Sequence, residues 1–172
     1  MTRASTTVVG IRRATPTDFD AMWQVFRSAI AAGDALPFAD GFDQETFRLH
    51  WFTSQPSYVA VSDDGIVGMY KIGANYPDLG SHVASATYVV GRAVQGRGIG
   101  RALVEHSLTR AEADGFMAMQ FNYVVSTNAA AVELYRKLGC AVVGTLPKAF
   151  RHARLGFVDA YVMFRFLQSR DA

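Results

Sequence analysis

Apolar positions along the chain recur with a two-residue period in some windows and a three-to-four-residue period in others, with no long linker, repeat or low-complexity tract between them. Residues 8–13 read as a short strand. Thr15-Pro16-Thr17-Asp18 offers a helix start with proline near the first turn, and Phe19, Met22, Trp23, Phe26 and Ile30 then share one face until Gly33-Asp34 stops the run. Glu45, Phe47, Leu49, Trp51 and Phe52 suggest a second short helix, and the mixed stretch 36–42 before it reads as an ordered loop able to line a pocket. Strands follow at 58–62 and 66–72, joined by Asp63-Asp64-Gly65 in hairpin fashion, and again at 83–90. Ile99, Leu103, Val104, Leu108 and Ala111 have helical spacing and end at Asp114-Gly115. A strand at 117–125, a helix opened by Thr127-Asn128 and closed by Gly139, and strands at 141–146 and 157–167 complete a mixed sheet.

Length and composition narrow the classes. At 172 residues and 50% hydrophobic, the chain closes one core and not two, so a single domain over 1–172 with its core at about 8–167 is expected. The 17 Lys and Arg against 15 Asp and Glu leave a net charge of +2, too balanced for a nucleic-acid partner. Cys140 is the only cysteine, which removes a disulfide framework and a cysteine zinc site and points to a reducing, cytoplasmic setting. Residues 1–10 lack the apolar core of a secretory leader, and no run of about eighteen apolar residues suggests a membrane partner.

The chemistry concentrates in Gln95-Gly96-Arg97-Gly98-Ile99-Gly100-Arg101, between a strand and a periodic helix. Glycines let backbone approach a ligand closely, and a helix N-terminus favours an anion such as a pyrophosphate. A Walker loop would need Gly-x-x-x-x-Gly-Lys, which is absent, and a dinucleotide fingerprint would need glycine where Leu103 stands. Three glycines can also do no more than make a tight turn.

This stretch resembles the Gln/Arg-x-x-Gly-x-Gly/Ala signature of the GCN5-related N-acetyltransferases (GNAT), and residues 126–139, Ser-Thr-Asn-Ala-Ala-Ala-Val-Glu-Leu-Tyr-Arg-Lys-Leu-Gly, resemble that family's other cofactor segment. The resemblance implies an α+β fold, a mixed and mostly antiparallel sheet of six to seven strands flanked by about four helices. It implies acetyl-CoA as cosubstrate and no metal. The pyrophosphate would lie on Gly96, Arg97, Gly98, Ile99, Gly100 and Arg101, with the backbone of Tyr88 to Val90 orienting the thioester, Asn128 bonding the pantetheine arm and the Tyr135 hydroxyl near the sulfur. Asn128 and Tyr135 lie close to two helical turns apart and so share a face; the bland alternative is an N-cap asparagine and a core tyrosine.

Residues 144–160, with Gly80-Ser81-His82-Val83-Ala84 and Phe121-Asn122, are similar to the branch acting on phosphinothricin, L-amino acids and L-azetidine-2-carboxylate. That likeness implies a small-molecule amine acceptor met by Asn122, Asn75 and the position after His82-Val83-Ala84. The branch has asparagine there and this chain has Ser85, whose single hydroxyl replaces an amide, so specificity is expected to differ.

Direct transfer needs no enzyme nucleophile, and Cys140 reads as a structural thiol. Tyr135 is the candidate acid, since a phenol near 10 stays protonated beside a thiolate near 8.5. His82 is a candidate base and substrate contact, Asp159 a candidate partner of Arg151 or Arg154, and a water route past Asn122 and Ser85 the preferred proton path. A catalytically weak acyl-CoA-binding module and a protein N-terminal or lysine acetyltransferase are the alternatives. The aromatic run at 157–166 suggests a homodimer.

Overall fold

A computed structural model describes residues 9–39 and 41–167. The strand expected from residue 8 is β1, Gly10–Arg13, and Val8 lies outside the described residues. Pro16 opens a separate 3-10 turn, Pro16–Asp18, before α1, Phe19–Ile30, begins. The reason is Asp18: its buried carboxylate takes two bonds from the Arg12 guanidinium, at 2.7 and 2.8 Å, and one from the Thr15 N–H at 2.8 Å. Arg12 foremost holds this carboxyl well below the usual range.

After α2, Gln44–Phe52, come β2, Ser57–Ser62, and β3, Gly65–Ala74, paired as the expected hairpin. β4 is Val83–Val90, α3 Ile99–Ala113, β5 Ala118–Val125, α4 Ala129–Lys137, β6 Ala141–His152 and β7 Gly156–Phe166. The seven strands form one sheet in the order β1-β2-β3-β4-β5-β7-β6. Every neighbouring pair is antiparallel except β4 and β5. This is the α+β arrangement of mixed sheet and four helices that the sequence implied.

The sheet buries both faces. Val59, Met69 and Val89 pack under α1 and α2 with Phe26, Phe47 and Trp51, while Tyr70, Ile72 and Ala84 pack under α3 and α4 with Ile99, Leu103 and Val132. The strand at 141–146 is longer than expected: β6 runs on to His152 through a register shift between Leu146 and Phe150. Pro147 cannot donate to a ladder, and Lys148 has φ +53, so the apolar alternation that signals a strand is lost there. The Asp159 carboxylate accepts the Lys148 N–H at 2.8 Å, closing the irregularity from β7.

Candidate active site

β4 and β5 pair only at Val83 with Ala118 and Ala84 with Met119. Beyond that point the two parallel strands splay. β4 stays paired to β3 as far as Val90, so one of its edges is spent and the other looks into the gap. A cleft of about 800 Å³ runs through this gap, walled by Ser85 to Val90 on one side and Phe121 to Val125 on the other. Its size is in the range that encloses a small-molecule ligand.

At the mouth on the α3 and α4 side, Gly96 and Gly98 adopt φ +77 and +84, conformations that only glycine takes without strain. Gly98 is the N-cap of α3 and no side chain caps the helix, so the first-turn N–H groups and the positive end of the dipole face the cleft lined by Gly98, Gly100 and Arg101. Asn128 accepts the Ala131 N–H through Oδ1 at 3.2 Å and thereby caps α4; its NH2 is not used in that cap, and the residue also lines the cleft. Gly139 at φ +84 ends α4, with Cys140 N bonded to Tyr135 O at 2.9 Å and Arg165 Nη1 on Leu138 O at 2.8 Å. Tyr135 therefore sits on a short helix fixed at both ends. Its ring lies 4.4 Å from that of Phe121 beside the cleft, and burial pushes its phenol well above 10.

Several expected residues are placed differently within this frame. Arg97 is exposed and outside the cleft wall, Ile99 is buried so that only its N–H can serve a ligand, and Arg101 is bonded through Nε to Glu105 at 2.8 Å. The Tyr88 hydroxyl pairs with Ser107 Oγ at 2.6 Å, in a core environment whose burial raises its pKa, leaving the backbone of Tyr88 and Val90 as what faces the gap. Cys140 is buried and its thiol is pushed up to about 11 by that burial, which disfavours a nucleophilic thiolate. Asp159 engages Lys148 N and not Arg151 or Arg154.

The second mouth opens on the α1 and α2 side, where Leu36, Pro37 and Phe38 line it as the loop reading anticipated. Asn122 and Tyr123 form a bulge, two residues set between the Phe121–Met163 and Val124–Tyr161 pairs, which aims Asn122 at the cleft. The Asn122 amide is held by Asn75, through Nδ2 to Asn75 Oδ1 at 2.5 Å, and by Gln120 Nε2 at 2.7 Å. Asn75 thus reaches the site through Asn122 and does not itself line it, whereas Ser85 does. His82 is exposed at the head of β4, and its carbonyl receives Met117 N; it is not part of the cleft wall.

Sequence reasoning missed His152, Arg154, Tyr123 and the Asp34–Arg92 pair, all on the cleft wall. Arg92 Nη1 lies 3.1 Å from Asp34 Oδ2, and Ala153 N bonds Gly33 O at 2.9 Å, stitching the loop after α1 to the β6–β7 turn. His152 is buried and accepts Arg154 N and Leu155 N through Nδ1, at 3.1 and 3.3 Å, which assigns its proton to Nε2. Behind the wall, Lys71 is opposite Thr87 and donates to His50 O at 3.2 Å; burial pushes Lys71 down to about 8 and, chiefly, His50 down to about 4. Among the described residues no cluster of three metal-ligating side chains occurs, and no helix is long and apolar enough to cross a membrane.

Known proteins are similar to this chain in sequence and fold. The acetyltransferase (GNAT) family matches residues 21–140. N-acetyltransferase aca1 of Schizosaccharomyces pombe is 30% identical over 132 residues, 76% of this chain and 58% of its own, so the chain spans little more than half of that relative. A solved GCN5-related N-acetyltransferase from Kribbella flavida superposes with a TM-score of 0.87 at 39% identity, covering 92% of this chain and 97% of that one. A phosphinothricin acetyltransferase from Sinorhizobium meliloti, solved with acetyl-CoA, has the same fold at a TM-score of 0.81 and 21% identity, over 92% and 88% of the two chains. With a family match over most of its length and a glycine-opened helix at the splayed strands, this chain belongs to the acetyltransferase (GNAT) family.

Proposed function

We propose that the chain transfers an acetyl group from acetyl-CoA directly to the amine of a small molecule, an amino acid or amino-acid analogue. The observation that carries this reading is the cleft through the β4–β5 gap, with an uncapped helix N-terminus at one mouth and polar and aromatic side chains at the other. Two ligands entering from opposite faces would meet at the strands. The residues suit the cosubstrate: left-handed Gly96 and Gly98 leave the first-turn N–H groups free for a pyrophosphate, with Arg101 and Arg97 adding charge nearby.

Acetyl-CoA supplies an acyl thioester whose C–S bond breaks as the C–N bond to the amine forms. The free edge of β4 between Tyr88 and Val90 offers N–H groups to polarise the carbonyl. Asn128 orients the pantetheine arm with the NH2 left over from its capping role. Tyr135, kept protonated by burial, is the candidate acid that donates a hydrogen bond to the departing thiolate, which takes up its proton from water as CoA leaves. Asn122, held by Asn75, and Ser85 position the amine, whose proton leaves by water. Cys140 takes no part. A cytoplasmic setting and a homodimer through β7, where Phe157 and Phe166 are exposed, belong to the same reading; a monomeric mass in light scattering at micromolar concentration would remove the dimer.

Thiol release from acetyl-CoA, followed across amino acids, amino-acid analogues and polyamines, tests the reading. Turnover is expected with acceptors of the first two kinds. Release that is the same with and without any amine would overturn it.

A further inference from the structure

Among the described residues, four formally charged side chains line the cleft: Asp34, Arg92, Arg101 and Arg154. Asp34 and Arg92 neutralise one another, and Arg101 is bonded to Glu105 at the pyrophosphate mouth. That leaves Arg154, whose guanidinium makes no hydrogen bond or ion pair among the described residues. Asp159, the partner expected from the sequence, instead accepts Lys148 N. Arg154 is not on a loose loop. Its own N–H is held by the buried His152 ring, and the preceding residue is tied to Gly33 across the turn. This stitching to the loop after α1 sets Arg154 at the second mouth, on the opposite face of the sheet from Gly98 and α3.

We infer that Arg154 binds a carboxylate of the acceptor and makes this mouth selective for amines that carry a negative charge. The inference rests on the proposed transfer reaction and names the substrate class of its acceptor side. A carboxylate seated on the guanidinium gains charge-assisted bonds and ties down the far end of the acceptor, leaving the amine directed into the β4–β5 gap. Lys71, buried behind Thr87, adds positive potential from the same wall. A diamine meets the opposite situation: its second ammonium would face Arg154, and the carboxylate that lines the cleft among the described residues, Asp34, already serves Arg92.

The test compares α-amino acids with their carboxamides and with putrescine, in the wild type and in Arg154→Ala, Arg154→Lys and Arg154→Glu. The wild type should prefer the acid to its amide. Arg154→Ala should raise the KM of the acid roughly tenfold, as for loss of a hydrogen bond to a charged group, with the KM of acetyl-CoA unmoved. Arg154→Lys should recover part of the preference and Arg154→Glu should reverse it. An equal loss for acid and amide in Arg154→Ala would overturn the inference. Calorimetric titration of acid and amide into the CoA-saturated protein separates the two failures. Discrimination in binding that Arg154→Ala abolishes, with no acetyl transfer, would refute the transferase reading and sustain Arg154; equal binding, or no binding of the acid, would refute Arg154.

Discussion

Gly98 and Gly100 stand two residues apart, and the structure assigns them opposite tolerances. Gly98 caps α3 at φ +84, ψ −3. An alanine in that left-handed region costs roughly 1–2 kcal/mol, because Cβ meets the following carbonyl. For a chain of this size each kcal/mol lowers Tm by about 2–4 °C, so Gly98→Ala should melt about 2–8 °C lower. Any relaxation of φ to relieve the strain also re-aims the first-turn N–H groups, and losing one bond to a phosphate should weaken CoA binding roughly tenfold or more. Gly100 lies inside the first turn, and a Cβ there meets only Val90 Cγ2 at 3.8 Å, an ordinary contact. Gly100→Ala should therefore keep CoA affinity and gain up to about 1 kcal/mol of helix stability. Thermal unfolding with calorimetric CoA titration of both variants decides the matter. Wild-type CoA affinity in Gly98→Ala, or matched losses in the two variants, would refute the reasoning that backbone geometry makes the anion site.

Three further outcomes follow from the geometry. Tyr135→Phe keeps the ring packing on Phe121 and removes the hydroxyl proposed to serve the departing thiolate, so kcat should fall roughly a hundredfold while CoA affinity holds; wild-type turnover would end the proposed acid role. Asn75→Ala should raise the acceptor KM much as Asn122→Ala does, because each amide holds the other, and the double variant should lose less than the product of the single losses; multiplicative losses would show the two acting independently. Lys71 titrates at about 8 when folded against an ordinary 10.5, so between those values the unfolded chain holds more protons and stability rises with pH. Lys71→Met should flatten that rise, at most about 3 kcal/mol, in urea unfolding followed from pH 7 to pH 10; a rise that persists in the variant would assign it elsewhere.

Much of this architecture is legible in local patterns. The helix carrying Ile99, Leu103 and Val104 is read from its spacing and its flanking glycines, and the Gly96–Arg101 turn from the demands of a close anion approach. Asn128 is both things the sequence allowed, an N-cap and a residue of the cleft, because capping uses only one end of its amide. What local patterns do not carry is the second mouth. His152 and Arg154 follow the Leu146–Phe150 irregularity, so a two-residue period counted from Ala141 no longer reports which side chains face the cleft. The Asp34–Arg92 pair spans 58 positions, and Asn75 meets Asn122 across 47, contacts fixed by strand order and not by neighbours in sequence. His82 looked suitable by chemistry alone; its position before β4, at the end where β4 and β5 are still joined, keeps it outside the gap.

Initial-rate kinetics with acetyl-CoA and an amino acid varied together, alongside mass analysis of the protein after acetyl-CoA alone, tests direct transfer in the cleft. Intersecting double-reciprocal lines and an unmodified chain are expected, since both ligands must occupy the gap at once and the buried thiol of Cys140 stays protonated. Parallel lines with an acetylated protein, or CoA binding with no transfer to any amine, would contradict it.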